Sequence, residues 1–264
     1  MADRGAAHAP PGAAMSGDVL RAEGLYKSFG SLRVTDGVSL RLPAGCRHGL
    51  IGPNGAGKTT LFNLIGGEVK ADAGCVFLAG RDLSGAPPDR RARAGLARSF
   101  QRNNLFAGLT VGENMALACA LKRRIGHVFW RRAAGFTALR AEAEEHAARL
   151  GLADRFGEQV AGLGYGTQRQ LEIGLALLQE PLVLLLDEPT AGMSPDETAA
   201  MVALLAGLPA ELALVVIEHD MDVVFGLADR ITVLDYGRVL IEGTAAEVRR
   251  SPEVRRRYLG AAGR

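Results

Sequence analysis

The sequence predicts an α/β protein whose alternating core is interrupted by a helical insert, and three observations carry that expectation. A glycine-rich stretch, GPNGAGKT, lies between a short apolar run and an amphipathic one. Two continuous apolar runs, PLVLLLD and LALVVIEHD, end in charged residues, the pattern of parallel strands buried on both faces. Ahead of them, residues 101–166 are dominated by Ala, Arg, Glu and Leu at helical spacing.

With 264 residues, 48% of them hydrophobic and 23% charged, the chain can bury a sizeable core. We expect a single domain over residues 18–264, after an Ala-, Gly- and Pro-rich tail at 1–17 that is expected to be disordered. A net charge of +2 is too small to imply nucleic acid, and none is expected as a partner. The apolar runs stop far short of the roughly 20 residues needed to cross a bilayer. The N-terminus lacks the succession of a secretory signal. Cys46, Cys75 and Cys119 are widely separated and odd in number, which fits a reducing compartment better than disulfides or a metal site. The five histidines are scattered, without the spacing that puts two on one helical face.

RHGLI reads as a strand and TTLFNLI as a helix closed by Gly66 and Gly67. The residues between them match G-x-x-x-x-G-K-[ST] at every position. Such a loop wraps so that backbone N–H groups point at a polyphosphate, and the helix dipole adds positive potential there. Gly52, Pro53, Asn54, Gly55, Ala56, Gly57, Lys58, Thr59 and Thr60 are the expected nucleotide-binding residues. Lys58 is expected on the β- and γ-phosphates of the bound polyphosphate, and the Thr59 hydroxyl on Mg²⁺.

The run 182–186 reads as a buried parallel strand, and carboxylates at its C-terminal end fall on the ligand-binding edge of an open sheet. Asp187 is placed to bind Mg²⁺ through water, and Glu188 to act as general base on the attacking water. Ser194, Pro195 and Glu197 form a capping box, so a helix starts near Pro195. LALVVIEHD gives the next strand and sets His219 at the same edge as Asp187, facing the γ-phosphate. Strands at 231–235 and 238–241 follow, joined by a Tyr-Gly turn, and residues 244–264 form a C-terminal helical segment.

Within the insert, Leu139, Ala143, Ala147 and Leu150 recur at helical spacing and line one face. The insert ends at LGYGTQ, a second glycine-rich loop feeding a helix whose Leu171, Leu175 and Leu178 share a face. Residues 121–132, LKRRIGHVFWRR, mix basic residues with Phe129 and Trp130. They read either as a solvated turn between helices or as contact with an anionic membrane surface or a membrane partner.

Taken in order, these motifs resemble the nucleotide-binding subunit of an ATP-binding cassette (ABC) transporter, over about 240 residues from Leu20 to Gly260. The resemblance implies a P-loop NTPase core of the ABC type with a small antiparallel β portion near the N-terminus. Two cassettes would pair head to tail, as a homodimer or a heterodimer, each ATP lying between one phosphate loop and the other subunit's signature, here Leu163, Gly164, Tyr165, Gly166 and Thr167 on a helix beginning near Thr167. Gln101, an exposed loop amide by sequence alone, would sense Mg²⁺ and the attacking water where the permease docks. Phe29 resembles the aromatic that stacks on adenine, with Tyr26 the alternative.

Two departures from the family pattern stand out. Gly164 replaces the usual signature serine and removes a hydroxyl contact to the partner's γ-phosphate, worth about 1.5 to 3 kcal/mol. Ser194 stands where the loop after DEPT usually ends in aspartate. The tyrosine-bearing signature, AGMSPDET and VIEHDMDVV are similar to the cassettes of branched-chain amino acid importers. The resemblance thus implies ATP hydrolysis at the cytoplasmic face of the inner membrane by a peripheral subunit, with permease subunits and, indirectly, an extracytoplasmic solute-binding protein as partners. Related cassettes for urea import or lipopolysaccharide export are the alternative, and a soluble cassette acting on DNA or ribosomes is more distant.

Overall fold

The computed structural model describes residues 17–99, 105–123 and 133–259. Strands β1 (Asp18–Phe29) and β2 (Leu32–Pro43) make a long antiparallel hairpin, and β3 (Arg47–Ile51) feeds helix α1 (Lys58–Gly66). β4 (Ala73–Leu78) and β5 (Arg81–Asp82) return to the hairpin, followed by α2 (Pro88–Arg93) and β6 (Leu96–Arg98). Helices α3 (Val111–Lys122), α4 (Ala133–Arg149) and α5 (Tyr165–Leu177) come next. The chain then alternates through β7 (Val183–Asp187), α6 (Pro195–Ala206), β8 (Ala213–Ile217), α7 (Met221–Leu227), β9 (Arg230–Asp235), β10 (Arg238–Thr244) and α8 (Ala245–Arg250).

Two sheets result. One is antiparallel, in the order β2-β1-β4-β5, and lies near the N-terminus as expected. The other has the order β10-β9-β3-β8-β7-β6, parallel except for β10 at its edge. Helix α1 is clamped between them: its Leu61, Phe62, Leu64 and Ile65 are fully buried with Leu20 and Leu40 on one side and Leu50 and Val215 on the other. Each such side chain contributes about 1.5 to 3 kcal/mol on leaving water. The helix behind the phosphate loop is therefore held from both faces.

The helical lobe has its own core. Val111, Met115 and Cys119 of α3 pack against Leu139, Ala143 and Ala147 of α4, the face read from sequence. That core extends to Leu171 and Leu178, beyond residue 166, because α5 lends one side to the lobe and buries Ile173 against Leu184 and Leu186 of the parallel sheet. Helix α5 thus contributes to both cores.

Element ends differ from expectation by one to three residues. α1 begins at Lys58, so the lysine is already helical. α5 begins at Tyr165 and not near Thr167, because Gly164 serves as an extended N-cap. β10 continues to Thr244, held by Arg230–Thr244 pairing with β9. The tail at 1–16, and residues 124–132 with Phe129 and Trp130, lie outside the described residues. Of the remainder of that basic stretch, Leu121 is exposed, while Lys122 and Arg123 pair with Glu180 and Glu142. Among the described residues no helix is long and apolar enough to cross a membrane.

His48 on β3 is buried, its Nε2 2.8 Å from the Thr232 hydroxyl on β9. Burial pushes its pKa down to about 4. The unfolded chain, titrating near 6.5, takes up this proton first as pH falls. Stability is therefore full above pH 6.5 and declines by up to about 3 kcal/mol as pH drops to 4. In urea unfolding, His48→Gln is expected to remove most of this pH dependence between 6.5 and 4, and an unchanged acid limb in the variant would contradict the assignment.

Candidate functional site

In an open parallel sheet the C-terminal strand ends form one edge where ligands bind. Here β3, β8 and β7 are neighbours, and their register aligns Leu50 with Ile217 and Ile217 with Asp187. β3 leaves this row one residue later into the glycine-rich loop, β7 ends on Asp187, and His219 lies two residues beyond β8. The register alone gathers Lys58, Asp187, Glu188 and His219 at one edge.

The loop from Gly52 to Gly57 is shaped by its neighbours. Gly57 has φ +98°, and a Cβ there would sit 2.5 Å from the Val34 carbonyl of β2. The Gly237 N–H, in the β9–β10 turn, donates to the Ala56 carbonyl at 3.0 Å. Lys58 is buried, and its ammonium donates to the Gly52 and Pro53 carbonyls at 2.6 and 3.0 Å. Burial pushes its pKa down, opposed by the negative charges of Glu188 and Asp187. Thr59 is exposed in the first turn of α1 and Thr60 half-buried; Pro53, Asn54 and Gly55 are exposed.

Asp187 is only 1% exposed, and neither of its carboxylate oxygens has a hydrogen-bond partner among the described residues. Burial pushes its carboxyl above the usual carboxylate range, while the Arg98 guanidinium, 3.6 Å away, pulls it back. A buried carboxylate whose oxygens lack hydrogen-bond partners offers hard oxygen donors, suited to a divalent cation such as Mg²⁺. Glu188 adopts φ +48°, a conformation a non-glycine residue holds only where its surroundings impose it. Its N–H donates to the Ile217 carbonyl at 2.9 Å, and its Oε1 lies 2.9 Å from Nε2 of His219.

Other expected site residues sit on separate elements. Phe29 ends β1 and is 51% exposed, with the Lys27 ammonium 5.5 Å from its ring. The Tyr26 hydroxyl instead packs beside Gly37 within the hairpin. Gly164, Tyr165, Gly166 and Thr167 form the head of α5, with Leu163 buried just before it. There Gly166 lies beside the carboxylate of Glu197, whose Oε1 would be 2.8 Å from an added Cβ, and Glu197 also completes the capping box with Ser194. Gln101 lies outside the described residues.

Sequence reasoning missed two arginines, the half-buried Arg98 and the buried Arg169. Arg98 on β6 donates to the Asn63 side chain at 2.7 Å, pairs with Glu68 at 3.1 Å and faces Asp187. Arg169 on α5 donates to the Asp187 carbonyl at 2.7 Å and to Glu172 at 2.9 Å. The one signal was the opposite charge of Arg169 and Glu172 three residues apart, which leaves open whether their face is buried.

We expect Gly57→Ala to weaken ATP binding at least about tenfold and to cost about 1 to 3 kcal/mol of stability, since the added methyl meets a backbone oxygen. Nucleotide titration and urea unfolding check this, and wild-type affinity in the variant would contradict it.

The family model described as ABC transporter matches residues 35–191. The chain is 40% identical over 255 residues to the high-affinity branched-chain amino acid transport ATP-binding protein LivG of Salmonella typhimurium, covering 94% of this chain and all of that protein. It is 37% identical to BraF, of the same description, from Pseudomonas aeruginosa, covering 94% of this chain and all of that protein. Among solved structures, MJ1267, an ATP-binding cassette of an ABC transporter in its ADP conformation, superposes with a TM-score of 0.81 at 28% identity, over 93% of this chain and all of that one. With the phosphate loop, the acidic strand end and the histidine at one sheet edge, these findings show that the chain belongs to the ABC transporter family, as an ATP-binding cassette.

Proposed function

We propose that this chain is the ATP-hydrolysing subunit that drives uptake of branched-chain amino acids through separate permease subunits. The observation that carries this reading is identity of 37 to 40% along the whole length of LivG and BraF. The geometry supplies the chemistry. Lys58, now folded onto loop carbonyls, moves to the β- and γ-phosphates when ATP enters the cradle from Gly52 to Thr60, with Phe29 against the adenine. Thr59, Asp187 and Gln101 hold Mg²⁺, partly through water. Bound Mg²⁺ neutralises charge on the phosphate oxygens as the γ-phosphoryl leaves. Glu188 takes the proton of the attacking water, and His219 at 2.9 Å orients that carboxylate and faces the γ-phosphate.

Leu163, Gly164, Tyr165, Gly166 and Thr167 face the nucleotide of a second cassette in a head-to-tail pair. A groove of about 280 Å³ between β6, α3 and α5, lined by Arg98, Leu105, Phe106, Leu117, Leu121 and Leu175, receives the permease. Phe106 and Leu121 are 57% and 62% exposed there, the apolar surface a partner covers. Ser99 also lines the groove. The subunit then lies on the cytoplasmic face of the inner membrane as a peripheral component, with a solute-binding protein engaged through the permease.

Glu188→Gln is expected to retain ATP and to lower turnover at least about 100-fold; turnover at the wild-type rate overturns the base assignment. Isolation from membranes with its partners, followed by reconstitution in vesicles, tests the transport role. ATP-dependent accumulation of leucine, isoleucine or valine is expected, and co-isolation with ribosomes or DNA in place of permease subunits overturns it.

A further inference from the structure

Glu218 has no part in the chemistry above, yet it is only 3% exposed. Its Oε1 accepts the Thr190 N–H at 2.8 Å and the Thr190 hydroxyl at 2.7 Å. Its Oε2 accepts the backbone N–H of His219 at 3.2 Å. A carboxylate out of water is tolerated only where donors replace its hydration, and here three donors do so. All three come from the two segments that carry the reactive pair. Thr190, itself buried, lies two residues after Glu188, and His219 follows Glu218 directly.

The consequence is geometric. Residues 187–190 and 217–219 are tied together at successive levels: Glu188 N–H to the Ile217 carbonyl, the Glu218 carboxylate to Thr190, and Glu188 to His219. The Glu188 backbone stands at φ +48° between the end of β7 and the anchored Thr190. Without an anchor on its C-terminal side, this turn is free to relax toward ordinary angles and swing the carboxylate away from the imidazole. We propose that Glu218 is a positioning residue: by clamping Thr190 and the His219 amide together, it holds Glu188 and His219 at the separation the hydrolytic step needs.

This inference rests on the proposed roles of Glu188 and His219. The test uses the full-length chain and compares Glu218→Ala, Glu218→Gln, Thr190→Val and the double variant E218A/T190V with Glu188→Gln, measuring ATP affinity, KM and kcat. Glu218→Ala is expected to lower kcat about 10- to 100-fold, with KM and ATP affinity unchanged, because a reactive group has shifted while the cradle has not. Glu218→Gln restores much of kcat, since its amide oxygen still accepts both Thr190 donors. The double variant is expected to be no slower than Glu218→Ala, because both changes break one clamp. Wild-type kcat in Glu218→Ala, a loss confined to KM or ATP affinity, or additive losses overturn the proposal. If Glu218→Ala does not fold, Thr190→Val decides: a lower kcat at unchanged KM supports the clamp, and wild-type kcat overturns it. An inactive Glu188→Gln beside a fully active Glu218→Ala sinks this inference alone, whereas an active Glu188→Gln removes the pair that the clamp is meant to hold.

Discussion

The arrangement depends on parallel pairing of β7 and β8 with β3. That register places Asp187, Ile217 and Leu50 in one row, so the phosphate loop, the acidic strand end and the histidine emerge side by side. A slip of one residue in either pairing would turn Asp187 toward the opposite face of the sheet and break the site. The register is secured by burial: every residue of β7 and β8 is buried, and the two faces of the sheet pack against different cores. Catalytic geometry is in this sense a by-product of the hydrophobic packing that selects the strand alignment.

Among the described residues, neither the Asp187 carboxylate nor the Lys58 ammonium at this edge hydrogen-bonds another side chain. Asp187 keeps two unmet acceptors in a buried position, and Lys58 satisfies its ammonium on the carbonyls of its own loop. Both are costly to bury and both are answered by one ligand, a triphosphate with its cation. Glu188 adds a strained backbone at the adjoining residue. A fold that concentrates unmet polar demand at one edge leaves that demand to be met by binding.

Helix α5 links the helical lobe to this edge. It shares the lobe's core through Leu171 and the parallel sheet's core through Ile173, and its Arg169 donates to the Asp187 carbonyl. Its first turn, at Gly166, lies beside Glu197 at the head of α6. A buried guanidinium thus fixes α5 against the end of β7, and such a short, charge-assisted bond tolerates little stretching.

The phosphate loop, the acidic strand, the capping box at Ser194 and the apolar face of α4 were legible in the sequence. Each is written within one segment, where glycine spacing, strand burial on both faces or the helical repeat determines the outcome. The start of α5 was misplaced by two residues, since an N-cap glycine carries no side-chain signal. The roles of Arg98, Arg169 and Glu218 were invisible, as their partners lie 18 to 89 residues away in the chain, at Asp187 and Thr190. By itself the sequence determined which chemical groups are present and which local elements carry them. Only the tertiary structure decided which groups meet, because strand order and register follow from collective burial over the whole chain, which no local spacing encodes.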